Sequence, residues 1–195
     1  MNLILCSGVP ASGKSFFARQ LSKELDTPYI SKDEIQVELF NRYGFRSHEE
    51  KLELVRQADN LMYAEIKQSI FDNKDLIVDK FFKEYCSLDN ILTQHKANVI
   101  SFYLFGSPWV LAERYNRRIE SGEREKPLYI ENVYPVVEGI TKYHPKMTAR
   151  RIEEIESSVV IKTYGKTFMR IDTSDLQKEY LSQALIFIKQ HVEAR

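Results

Sequence analysis

The sequence predicts an α/β protein: a mostly parallel sheet of five strands, helices on both faces, and a helical lid. Three observations carry this. Short apolar runs such as Leu3-Ile4-Leu5-Cys6 and Leu76-Ile77-Val78 are continuous, as in strands buried on both faces. Helical segments with capping signals separate those runs. A glycine-bounded turn, Gly8-Val9-Pro10-Ala11-Ser12-Gly13-Lys14-Ser15, joins the first strand to the first helix. Strands alternating with helices imply right-handed parallel crossovers.

Taken in order, residues 2–7 form the first strand and 14–25 a helix with Phe17, Leu21 and Leu25 on one face. Asp26-Thr27-Pro28 ends it, and Tyr29-Ile30-Ser31 is a short second strand. Ser31 and Glu34 read as a capping box for a helix over 32–42, which stops at Tyr43-Gly44-Phe45. Ser47 and Glu50 open a long helix to about residue 71, with a stripe of Leu54, Ala58, Leu61, Met62, Glu65, Ile66 and Ile70. The helices at 33–71 are a candidate substrate-binding insertion within one domain spanning 1–195. Residues 76–79 are the third strand, ending on a carboxylate. A helix over 83–96, carrying Tyr85, leads to the fourth strand at 98–105.

Ser107-Pro108 supplies a cap and a first-turn proline for a helix ending near Ser121-Gly122. Beyond Pro127 the pattern weakens. Helices are expected at 131–144 and 149–157, the latter capped by Thr148. Residues 159–163 and 167–171 are strand candidates around Tyr164-Gly165-Lys166, the second being the final strand of the sheet. Ser174 and Gln177 read as a last capping box, before a helix marked by Leu181, Leu185 and Ile188.

A chain of 195 residues suffices for one domain with a full core. Lys+Arg and Asp+Glu are equal at 28 each, so overall charge favours neither a nucleic-acid nor a membrane partner. No run approaches a membrane span. Cys6 and Cys86 have neither metal-ligand nor disulfide spacing and read as buried fillers in a reducing cytoplasm.

The turn at 8–15 fits G-x-x-x-x-G-K-[ST], a phosphate-binding loop, in the strand-loop-helix setting that this motif needs. Gly8 and Gly13 let the backbone wrap an anion with peptide N–H groups inward. The helix that follows offers its positive end to the same phosphates. Lys14 would reach the β/γ-phosphates and Ser15 would bind Mg²⁺. Ligands gather at the carboxyl ends of such a sheet, where Asp33 and Asp79 also fall. Asp79 is the candidate metal partner beside Ser15; as an alternative it caps the next helix. Asp33 is the candidate base for an acceptor hydroxyl; an acid in a first helical turn is also ordinary.

Arg114, Arg117 and Arg118 have helical spacing, so Arg114 shares a face with either of the others. Cations over a transferring phosphoryl group are what such chemistry needs, although arginines near a helix end are often only solvated. Lys80 stands where hydrolytic motors of this fold put a water-positioning Glu, and Asn73-Lys74-Asp75-Leu76 is not a guanine-specificity motif. A kinase fits better than an ATPase motor or a GTPase switch.

With these residues in place, the chain resembles the small P-loop kinases and phosphotransferases that include chloramphenicol phosphotransferase, polynucleotide kinase and zeta-toxin relatives. The segments are G-V-P-A-S-G-K-S at 8–15, S-K-D-E-I at 31–35, L-I-V-D at 76–79, A-E-R-Y-N-R-R at 112–118 and I-D-T-S at 171–174. The resemblance implies the P-loop NTPase fold and ATP and Mg²⁺ as cofactors. It implies nucleotide contacts from Gly8, Pro10, Ala11, Ser12, Gly13, Lys14, Ser15, Phe16, Arg114 and Thr173, and a metal site of Ser15 and Asp79. Lys14, Asp33, Arg114, Arg117 and Arg118 would be catalytic, with 107–126 as the lid. The expected activity is transfer of the γ-phosphate to a hydroxyl of a small molecule, sugar nucleotide or nucleic-acid end. The alternatives are a nucleoside monophosphate kinase and a nucleotide-binding regulatory module. Lys80-Phe81-Phe82 and residues 127–165 depart from the pattern.

Overall fold

The computed structural model describes residues 1–82, 86–158, 167–175 and 179–192. The elements are β1 (Asn2–Gly8), α1 (Lys14–Leu25), β2 (Tyr29–Ser31), α2 (Lys32–Tyr43), α3 (His48–Phe71) and β3 (Leu76–Asp79). They continue with α4 (Cys86–Gln94), β4 (Asn98–Phe105), α5 (Pro108–Glu120), a 3₁₀ turn (Lys126–Tyr129), α6 (Ala149–Ser157), β5 (Phe168–Asp172) and α7 (Tyr180–His191).

The five strands lie in the order β2-β3-β1-β4-β5, and every pairing is parallel. Alternation along the strands divides the core. Ile4, Cys6, Ile77, Ile100, Phe102 and Leu104 pack with Phe17 and Leu21 of α1 and Ala184 and Ile188 of α7. Leu3, Leu5, Leu76, Val78 and Val99 face the other way, against Met62 and Ile66 of α3 and Leu88 and Ile91 of α4. β1 is central, with β3 on one side and β4 on the other. The chain thus changes direction at its first strand, and the crevice there opens at the carboxyl ends.

Some local expectations change. Ser47 does cap α3, accepting from Glu50 N at 3.2 Å, and Thr148 caps α6 through Arg151 N at 3.2 Å. Ser31 makes no side-chain cap; its hydroxyl turns to Asp79, while Glu34 takes hydrogen bonds from Arg19 and Tyr29. α7 begins at Tyr180, so Ser174 does not cap it; its hydroxyl donates to Asp172 at 2.6 Å. The buried face of α3 runs through Lys51, Leu54, Ala58, Met62, Ile66 and Ser69, whereas Leu61 is 52% exposed and Glu65 is also exposed.

Residues 131–144 form no helix. Isolated bridges join Phe45 to Tyr134 and Ile130 to Tyr143, and turns lie between. Pro135 lacks a donor and disfavours helix at Tyr134, and Val136, Val137 and Gly139 add weak helix formers. Cys6 is buried, but Cys86 is exposed at the start of α4. Tyr85, the 159–163 strand, the Tyr164-Gly165-Lys166 turn and Gln177 lie outside the described residues. Among the described residues no helix is long and apolar enough to cross a membrane.

Candidate active site

The glycine loop is held from below and from the side. A Cβ at Gly8 would overlap the Leu104 carbonyl oxygen of β4, so only glycine lets the loop leave β1 there. Val9 is fully buried with Leu111 and Ala112 of α5 and Ile152 of α6. Ser12 N donates to Val9 O at 3.2 Å, closing the turn, while the buried Ser12 Oγ has no partner. Ala11 has φ 63°, and Gly13, with φ 81°, precedes α1. The first turn of α1 carries no acidic residue, so its positive end is uncompensated. Lys14 and Ser15 sit on that turn, and Phe16 beside them is 59% exposed.

Asp79 ends β3 level with Cys6 of β1 and Ser31 of β2, and is 2% exposed. Ser31 Oγ donates to its Oδ2 at 3.0 Å, and its buried Oδ1 has no hydrogen-bond partner. Burial raises its pKa above the usual carboxylate value. The Lys14 charge and the Ser15 and Ser31 side chains oppose that rise, and Asp33 adds to it. A buried carboxylate with one oxygen unclaimed beside a serine and a lysine fits a divalent cation. Among the described residues no group of three or more His, Cys, Asp or Glu could hold a metal. A cation here would therefore complete its shell with phosphate oxygens and water, as Mg²⁺ does at phosphates.

Asp33 occupies the first turn of α2 and is half-buried. Its charge is felt at Asp79 on one side and Arg118 on the other. Neither Asp33 nor the half-buried Arg118 guanidinium has an ion pair among the described residues. Burial lowers the pKa of Arg118, and the like charge of Arg124 lowers it further. Lys14, Ser15, Asp79, Asp33 and Arg118 are thus brought together.

The other two arginines go elsewhere. Arg114 donates to the carbonyl oxygens of Thr173 at 2.6 Å and Ser174 at 3.0 Å, tying α5 to the loop after β5. Thr173 uses its hydroxyl on Phe105 O at 2.9 Å, so it shapes that loop from within. Arg117 is exposed. The base of the expected lid is packed: Asn116 exchanges two hydrogen bonds with Met147, and Leu111, Ala112 and Tyr115 are buried.

Lys80 points away from the loop. Its ammonium bonds Asp59 of α3 and the Tyr63 hydroxyl, and Lys32 bonds the other oxygen of Asp59 at 2.7 Å. Sequence reasoning missed Asp59, although it sits next to Ala58 on the buried stripe. Lys51 was missed as well; it lies three residues before Leu54 on the same face, where a core residue belongs.

A family model described as an AAA domain matches residues 3–131, more than half of the chain. The chain belongs to this AAA-domain family. The match covers the glycine loop, Asp33, Asp79 and all three arginines of α5. No curated protein matches the AAA-domain chain. Among solved structures, a candidate kinase from Chloroflexus aurantiacus is 21% identical with TM-score 0.80, covering 98% of each chain. A gluconokinase from Sinorhizobium meliloti is 14% identical with TM-score 0.58, covering 97% of this chain and 91% of that one. A shikimate kinase from Bacteroides thetaiotaomicron is 15% identical with TM-score 0.53, covering 100% and 99%. The AAA-domain chain therefore has the fold of the small P-loop kinases.

Proposed function

We propose that this chain is an ATP- and Mg²⁺-dependent phosphotransferase that moves the γ-phosphoryl group to an acceptor hydroxyl. The observation that carries it is the division of labour between two acids. Asp79 keeps one oxygen unclaimed beside Ser15, and Asp33 stands unpaired between Asp79 and Arg118. Backbone N–H groups of the loop and Lys14 would hold the phosphates. Mg²⁺, held by Ser15 and Asp79, would supply charge neutralisation at the β- and γ-oxygens.

Asp33 accepts the proton of the acceptor hydroxyl as its oxygen attacks the γ-phosphorus. The bond from that phosphorus to the bridging oxygen breaks, and ADP leaves. Arg118 offsets charge on the transferring group. Lys80 is engaged by Asp59, so the residue after Asp79 positions no water. This supports transfer to an alcohol rather than to water, as do the similar gluconokinase and shikimate kinase folds. The even charge balance favours a small molecule or sugar nucleotide over a nucleic-acid end. ATP as substrate and the free thiol of Cys6 fit a cytoplasmic setting.

Incubation with labelled ATP and a panel of alcohols, followed by product analysis, tests this. Lys14→Ala should nearly abolish transfer with the fold intact, since Lys14 contributes no core packing. Asp33→Asn should leave Mg²⁺·ATP affinity unchanged and slow transfer roughly 10²–10⁴-fold, the usual worth of a general base. Wild-type turnover in either variant would overturn the assignment.

A further inference from the structure

A second group of cations continues from Arg118 along the α2–α3 face and takes no part in the chemistry above. Its centre is Arg124, four residues beyond the end of α5. The charge of Arg124 is felt at Arg118, Lys51, Tyr129 and His144. Its guanidinium carbon lies 5.2 Å from the centre of the Tyr115 ring, a cation–π contact. Its Nε is nonetheless buried without a hydrogen-bond partner, and it has no ion pair among the described residues. A planar fork of donors, held in place and unclaimed, suits a bidentate anion.

Lys51 lies behind it, 7% exposed. Its ammonium donates to the Ile130 carbonyl and lies 3.5 Å from His144 Nε2. The acids near this group are Glu131, which acts on Lys51 and His144, and Glu123 and Asp33, which act on Arg118. None of the three forms an ion pair with these cations among the described residues. Lys51 Nζ lies 5.9 Å from the Phe40 ring. Phe40 is seven residues along α2 from Asp33, about 10 Å at the rise of a helix. The base therefore sits at the start of α2, and Lys51 of the second cation group lies against its far end.

We propose that the acceptor is an anionic alcohol, with a phosphate or carboxylate held by Arg124, backed by Lys51 and His144, and a hydroxyl at its other end that Asp33 deprotonates. This rests on the phosphotransferase reading of the neighbouring site. It excludes neutral polyols as the preferred acceptor. Arg118 lies between the two groups, so one end of the acceptor meets the transferring phosphoryl group and the other meets Arg124.

The experiment separates the two proposals. With the loop filled by Mg²⁺·ADP, inorganic phosphate at millimolar concentration serves as the probe, read by thermal shift and calorimetry. Wild type should bind it, Arg124→Gln should lose at least tenfold in affinity, and Arg124→Lys should retain part. ADP affinity should stay the same in both variants, which also shows that each folds. Equal phosphate binding in wild type and Arg124→Gln overturns the anion site. Alcohols matched with and without a phosphate or carboxylate are then compared as acceptors. The anionic members should show KM values at least tenfold lower, and Arg124→Gln should raise KM for them far more than it lowers kcat. Equal use of the neutral members overturns the acceptor class. Phosphate binding without transfer to any alcohol overturns the phosphotransferase reading and leaves the anion site standing.

Discussion

Ser31 and Asp79 face each other in register on adjacent parallel strands, and the serine hydroxyl donates to one carboxylate oxygen at 3.0 Å. The bond holds one oxygen of the carboxylate and leaves the other, Oδ1, without a partner. A hydrogen bond to a charged group contributes about 1.5–3 kcal/mol. Ser31→Ala should therefore raise the Mg²⁺ concentration for half-maximal activity by roughly tenfold or more. Ser31→Thr keeps the donor and should restore it. A magnesium titration in which Ser31→Ala matches wild type would show that Asp79 is oriented by something else.

Asp79 should stabilise the protein only when a cation is present. Its carboxyl pKa is raised in the folded chain, chiefly by burial. From the unfolded value of about 3.9 upward, the folded state holds the proton longer than the unfolded state does. Stability is thus lost as pH rises through that window, and the deficit is complete above the raised pKa. Asp79→Asn has no such deficit. It should melt at a higher temperature than wild type at pH 7 without ligand, yet bind Mg²⁺·nucleotide more weakly. A lower melting temperature for the ligand-free variant would contradict this.

The three arginines of α5 should separate by phenotype. Arg118→Ala should lower kcat more than tenfold with a smaller effect on ADP affinity, because its charge is needed most in the transition state. Arg114→Ala leaves two carbonyl oxygens without donors and should lower stability by about 1–3 kcal/mol. Arg117→Ala should change neither quantity by much. Measured rates and melting temperatures for the three variants check the ranking, and an unimpaired Arg118→Ala would remove that residue from the mechanism.

Lys51 should leave a mark on the alkaline side. Burial pulls its pKa down to about 8, Arg124 adds to this, and Glu131 opposes it. The unfolded chain still holds the proton between pH 8 and about 10.4, so stability rises with pH across that window. Below pH 8 the penalty of the buried charge is fully present. Between pH 7 and 9.5 wild type should gain roughly 1 kcal/mol, allowing for partial water access. Lys51→Met should lack this gain. Parallel urea titrations of the two proteins at both pH values measure the difference.

The sheet, the glycine loop and the acids at its edge were legible because each leaves a local signature. Continuous apolar runs announced β1 and β3, and a motif of fixed spacing announced the loop. Asp33 and Asp79 could be placed because each directly follows or ends a strand. Residues 131–144 form no helix because Pro135 and Gly139 interrupt a pattern that is already weak beyond Pro127. Ser31 was misread because a capping box and a side chain aimed at a neighbouring strand look alike in one dimension. Arg114 was grouped with Arg118 because helical spacing shows which residues share a face, not which of them finds a carbonyl first. Arg124 and Lys51 went unseen as a pair because 73 positions separate them and only packing brings them together.

Asp59 holds Lys32 at the start of α2 with one oxygen and Lys80 at the end of β3 with the other. The two helices that carry Asp33 and Lys51 are thereby clamped to the strand that carries Asp79. A jaw fastened in this way travels with the sheet. Asp33, Lys51 and Asp79 thus form one body, and a substitution at Asp59 should disturb all three at once.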